Sequence, residues 1–164
     1  MHSLGQVANF KLEKSNIEIE KIPIALNSKL KKNIVIKEAT QVEEDFHARY
    51  SCKGKKYRYI INNSQYGSSI YRDLEYHMPV KLDVSEMKKA IKYFEGEHDF
   101  KAFKASGTSS KSSIREIYKA ELMEDGERII IELSGNGFLY NMVRIIAGTL
   151  VDVGLRKNFC RRYP

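Results

Sequence analysis

Ile114-Arg115-Glu116-Ile117-Tyr118-Lys119-Ala120-Glu121-Leu122-Met123 and Arg128-Ile129-Ile130-Ile131-Glu132-Leu133-Ser134 flank the tetrad Glu124-Asp125-Gly126-Glu127. The spacing predicts a β-hairpin, because glycine supplies the positive φ that a tight turn needs. Immediately downstream, Ser134-Gly135-Asn136-Gly137 leads into Phe138 to Val153. There Leu139, Met142, Val143, Ile146, Leu150 and Val153 form one helical stripe. Upstream, Asp83 opens a second helix through Val84, Met87, Ile91 and Phe94, and Gly96 stops it. Ala48 to Asn62 reads as a long strand rich in Tyr and Ile, Gln6 to Glu13 and Ile34 to Ala39 as further strands, and Pro23 to Lys31 as a short helix. Hairpin strands with helices inserted between them give an α+β fold, with a mostly antiparallel sheet flanked by helices.

At 164 residues, 42% hydrophobic and 30% charged, the chain is long enough for a real core and is neither disordered nor membrane-like in composition. Its most apolar stretch, Gly137 to Val153, is interrupted by Asn141 and Arg144, which argues against a spanning helix and for no membrane partner. The first five residues have no basic flank and no apolar core, so they do not read as a secretion signal. Cys52 and Cys160 are widely separated, which implies free thiols and a reducing, cytoplasmic setting. The four histidines have no ligand spacing, so no metal site is expected.

The charge is unevenly distributed. Of 28 Lys and Arg, 15 fall in His47–Arg72, Lys101–Arg115, Leu133–Val151 and Gly154–Pro164, and those stretches hold no acid. The remainder carries 13 basic and 21 acidic residues, a net −8. A basic surface on an acidic body is the footprint of a polyanion binder. Lys53, Lys55, Lys56, Arg58, Lys101, Lys104, Lys111 and Arg115 are the candidate RNA-binding cations. On a strand, Tyr57, Tyr59 and Ile61 share one face and Lys56, Arg58 and Ile60 the other. Rings beside cations suit RNA, whose bases stack and whose phosphates need positive charge. Tyr59 reads as a half-buried sheet residue; for Tyr57, stacking and packing are equally open. Arg144 lies among Tyr140, Ala147 and Gly148, with no acid from Leu133 to Val151. Its guanidinium must therefore find a carboxylate elsewhere or reach water.

Four blocks together resemble the tRNA pseudouridine synthase family that acts on the anticodon arm, called TruA in bacteria. They are His2-Ser3-Leu4-Gly5-Gln6-Val7-Ala8-Asn9-Phe10; Asp45-Phe46-His47-Ala48-Arg49-Tyr50-Ser51 running into Lys56-Tyr57-Arg58-Tyr59; Gly96-Glu97-His98-Asp99-Phe100-Lys101-Ala102-Phe103; and Gly135-Asn136-Gly137-Phe138-Leu139-Tyr140-Asn141-Met142-Val143-Arg144 followed by Ala147-Gly148-Thr149-Leu150. The resemblance implies the pseudouridine synthase fold over residues 1–155, with 156–164 as an atypical basic tail. It implies isomerisation of uridine in the tRNA anticodon stem-loop without a cofactor, and a homodimer. The base is flipped out and an aspartate attacks the sugar carbon or the base, after which the uracil turns and rejoins through carbon. Carried over by position, Tyr57 stacks on the target base and is a candidate base, and Arg144 pairs with the nucleophile. His2, Gln6, Tyr57 and Asn136 are the candidate substrate-binding residues.

The family aspartate stands in Gly-Arg-Thr-Asp-x-Gly-Val-His. Aligned here, the histidine is His2 and the valine position is Met1, which puts the aspartate three residues before Met1. The chain as written is therefore expected to be inactive by itself, with Arg144 facing water near Tyr57 and unpaired with any acid of this chain. The tail departs from the family's final helix and strand, as in a truncated or shifted reading frame or a short paralogue. The alternative function is a non-catalytic RNA-binding module that kept the platform.

Overall fold

Gly126 closes the hairpin with φ 58°, between β4 (Ile114–Asp125) and β5 (Arg128–Gly135), in a computed structural model that describes residues 2–13, 16–107 and 112–156. Three more strands complete a five-stranded sheet: β1 (Lys55–Asn62), β2 (Tyr76–His77) and β3 (Gly96–Asp99), in the order β2-β1-β5-β4-β3. Every pairing is antiparallel except β1 with β2, so the fold is α+β as the pattern predicted. Register pairs Tyr57 with Leu133, Tyr59 with Ile131 and Ile61 with Ile129, which puts these side chains on one face. A bulge between Ile117 and Lys119 lets β4 bring Ile117, Ala120 and Leu122 all to the core and turns Tyr118 out to solvent.

Two helices cover that face. α2 (Val84–Ile91) begins where the Asp83 carboxylate accepts the Glu86 amide at 3.2 Å, and a 3-10 turn over Lys92–Phe94 extends it. The predicted stop is real: Gly96 has φ 97°. α3 (Met142–Gly154) buries Met142, Ile146, Leu150 and Val151 against the sheet. It crosses α2 so closely that a Cβ on Gly154 would lie 2.7 Å from Met87 Sδ. Asp83 also joins the end of α3, accepting from Arg156 at 2.7 Å, and that hydrogen bond holds its carboxyl below the usual range.

The opposite face of the sheet carries charge. Glu132 is 6% exposed and accepts from Arg58 Nε at 2.7 Å and from Lys56. At the sheet edge, Glu75 accepts from Asn62 at 2.6 Å and from Arg128 at 2.8 Å, and the Arg128 guanidinium sits 4.4 Å over the Tyr71 ring. A short parallel strand was not legible, because β2 has only two residues and is held by this side-chain clamp as much as by its ladder.

The chain divides into two compact units, Met1–Cys52 and Lys53–Pro164. The second holds the sheet just described. In the first, a 3-10 turn (Ile19–Lys21) runs into α1 (Ile22–Asn27), with Pro23 in the first turn as expected. The helix stops at Asn27, short of Lys31, because the Asn27 amide bonds both the N–H and the C=O of Ile36 at 2.8 Å. The strands expected at 6–13 and 34–39 do not form. Those segments are rich in apolar residues, yet among the described residues no neighbouring backbone joins them in a ladder, and Val7, Phe10, Ile34 and Val35 stay at least half exposed. The strand expected from Ala48 begins only at Lys55. A turn at His47–Ser51 intervenes, with the Tyr50 and Ser51 amides both donating to the His47 carbonyl.

Candidate active site

At one end of the sheet the start of β1, the end of β5, the start of β4 and the end of β3 lie side by side. Lys55 pairs with Gly135, Gly135 with Ile117, and Asp99 with Ile114. Gly135 is there of necessity, since a Cβ would come 2.4 Å from the Glu116 carbonyl. Asn136 then locks the exit from the strand: its amide donates to Glu116 O at 3.0 Å and its side-chain oxygen accepts from Glu116 N at 3.1 Å. Asn136, a candidate substrate-binding residue, commits that oxygen to backbone while its position stays exposed.

Beyond Asn136 the chain crosses β1. The Phe138 ring meets Tyr57 edge-on, with centroids 5.1 Å apart and planes at 85°, a favourable geometry for two quadrupoles. The Tyr140 carbonyl accepts from Ala105 N at 3.1 Å, which ties the segment carrying Lys101 and Lys104 to this turn. Arg115 lies beside it, its side chain within 4 Å of where a Cβ on Gly137 would sit, and its Nη1 donates to the Ser112 carbonyl at 3.1 Å.

Arg144 is exposed on the first turn of α3. Among the described residues it takes part in none of the ion pairs, and Asp73 and Asp99 have other partners. Its charge reaches Tyr59: burial pushes that phenol up, and the guanidinium pulls it the other way. Tyr59 is two residues along the same strand face from Tyr57, so Tyr57, Tyr59 and Arg144 share one face. Tyr59 packs against the core, as its pattern implied, and Tyr57 is half-buried, so it is part packing residue and part open ring.

The basic set separates. Lys55, Lys101, Lys104 and Arg115 gather at the glycine-turn end, with exposed Lys53 just before β1. Lys56 and Arg58 lie on the face opposite α2 and α3 and are both paired with Glu132, whose carboxyl they hold below its usual range, the Lys56 hydrogen bond most strongly. The sequence reading counted both cations as RNA contacts and did not single out Glu132. Lys111 lies outside the described residues, as does the tail from 157. His2 and Gln6 are exposed in the first unit. No His, Cys, Asp and Glu cluster of metal-binding geometry occurs among the described residues, and no described helix is long and apolar enough to cross a membrane.

Residues 90–161, from α2 through the glycine turn and α3, match the family profile described as tRNA pseudouridine synthase. A tRNA pseudouridine synthase A of Ruminiclostridium cellulolyticum is 54% identical over 158 residues, covering 96% of this chain and 64% of that protein. The chain belongs to the tRNA pseudouridine synthase A family. Its TruA relatives in Acetivibrio thermocellus (50% identical over 157 residues) and Clostridium perfringens (a tRNA pseudouridine synthase A 2, 48% over 157 residues) are likewise matched over 96% of this chain. The chain thus spans 64% of the length of these TruA relatives. The profile match includes Asn136 and Arg144, and the relatives' alignments extend over almost the whole chain.

Proposed function

We propose that this chain is the substrate-docking and arginine-bearing part of a tRNA pseudouridine synthase, acting on uridines of the anticodon stem-loop within a homodimer. The observation that carries the reading is Arg144: an exposed guanidinium with no ion pair among the described residues, on the same face as an open tyrosine. A free cation so placed suits the carboxylate nucleophile of the family's covalent route, which it would hold ionised. Tyr57, backed edge-on by Phe138, offers a ring for a flipped uracil. Lys53, Lys55, Lys101, Lys104 and Arg115 at the same sheet end supply phosphate contacts for a cytoplasmic tRNA.

Grafting these residues in place of the matching 158 residues of the Ruminiclostridium relative tests the reading. The graft is expected to form pseudouridine in an unmodified tRNA transcript, assayed after digestion to nucleosides, and Arg144→Gln to abolish it with the fold intact. A graft that folds and binds tRNA but forms none, or that works equally well with glutamine at 144, would overturn it. The alternative, a module that only binds RNA, is favoured by tRNA binding together with an inactive graft.

A further inference from the structure

Between Phe138 and α3 the chain makes a tight turn: Met142 N donates to Leu139 O at 3.1 Å, and both residues are buried. Asn141, the third residue of that turn, has φ 57° and ψ 9°. Among the described residues, the one other non-glycine with positive φ is Arg156. Turns of this kind need a residue that tolerates the left-handed region, which is glycine or asparagine. Asn141 is also the first residue of the helical ladder, its carbonyl accepting from Ile145 N at 3.0 Å. No hydrogen bond of its side chain caps the helix. Its backbone conformation is thus what the structure uses, and Arg144 follows three residues later.

We infer that Asn141 is a positioning residue for Arg144: its left-handed backbone sets the direction in which α3 leaves the Leu139–Met142 turn, and so holds the guanidinium at the Tyr57–Tyr59 face of β1. The flanks leave little other freedom, since Leu139 and Met142 are anchored in the core and Tyr140 O is tied to Ala105. A residue that resists positive φ would relax toward the right-handed region, rotate the helix start, and carry Arg144 away from β1. This deepens the functional reading above by assigning what holds its arginine in place.

Tyr59 reports the position of Arg144 without any activity measurement, because the guanidinium acts on its phenol. In ring-13C-tyrosine NMR of the chain at neutral pH, Arg144→Gln is expected to shift the Tyr59 resonance. Asn141→Ala and Asn141→Ser are expected to shift it the same way, while Asn141→Gly leaves it at the native position. Two non-glycine variants are used so that loss of folding in one leaves the other to decide. A native Tyr59 resonance in a folded Ala or Ser variant would overturn the inference. So would a Gly variant displaced as far as the Ala variant, or an Arg144→Gln change that Tyr59 does not register. If the resonances behave as expected and the Arg144→Gln graft still forms pseudouridine, the positioning stands and the functional reading fails.

Discussion

Gly135→Ala should be the most damaging single-methyl addition in the sheet, and Gly148→Ala should be harmless. A Cβ on Gly135 would stand 2.4 Å from Glu116 O, 3.3 Å from Ile117 Cα and 3.4 Å from the Glu116 carbonyl carbon, all of them backbone. Restoring ordinary contact moves β5 away from β4 by about 1 Å, since the clash partner has no rotamer to change. That shift strains the two hydrogen bonds between Asn136 and Glu116, each contributing about 1 kcal/mol. With an overpacking cost of roughly 1–3 kcal/mol, the total is about 3–5 kcal/mol. For a chain of this size that lowers Tm by roughly 6–20 °C. At Gly148, exposed on α3, a Cβ meets nothing within 4 Å, so alanine adds about 0.5–1 kcal/mol through helix propensity alone. Urea and thermal unfolding of the two variants beside the native chain decide the matter. Equal stabilities for the pair, or a Gly135→Ala variant within about 0.5 kcal/mol of native, would refute the close approach of β5 to β4.

Gly154→Ala should cost less than Gly135→Ala, because its nearest obstacle is the flexible Met87 thioether, and Met87→Ala in the same chain should recover part of the loss by opening space; denaturant midpoints of the double-mutant cycle check this. Glu132 is held below the normal carboxylate range by Lys56 and Arg58, so its stabilisation is complete above the unfolded pKa of about 4.3 and is lost as pH falls through the lower folded value. Between pH 7 and pH 3 the Glu132→Gln variant should therefore lose less stability than the native chain; parallel slopes would contradict the pairing. Transcript affinity should fall steeply with salt, and Arg115→Gln should flatten the log–log slope by about 0.7 if that residue meets a phosphate of single-stranded RNA, as titrations at several salt concentrations would show.

The hairpin, both sheet-covering helices and the stop at Gly96 were legible because each rests on a local rule, a glycine φ or a 3.6-residue stripe. Residues 6–13 and 34–39 are as apolar as true strands, but a ladder needs a partner, and composition says nothing about partners. Phe138 to Asn141 looked helical because Leu139 and Met142 fit the stripe. The core does receive both, across a turn rather than along a helix. Tyr57 and Arg144 were singled out as candidates through residue type and resemblance, whereas Phe138 and Asn141 beside them were not. An edge-on ring contact is a pairing in space, and an asparagine inside an expected helix says nothing of its φ. Lys56 and Arg58 were counted as RNA contacts because composition sees cations, while the acid that engages them lies on a strand 74 positions away from Arg58.

Glu132 has a further effect on what the protein ignores. Lys56, Arg58 and Lys119 on the side opposite α2 and α3 would present three positive charges to any passing polyanion, but Glu132 and Glu121 pair with them and leave one. A long nucleic acid drifting over this side meets short-range dipoles rather than a sustained attractive field, and neutralised pairs fade within a Debye length of about 8 Å. On the docking proposed above, the carboxylates discourage unproductive landings on the back of the sheet and leave the end where Lys55, Lys101 and Arg115 stand as the place where lasting contact begins.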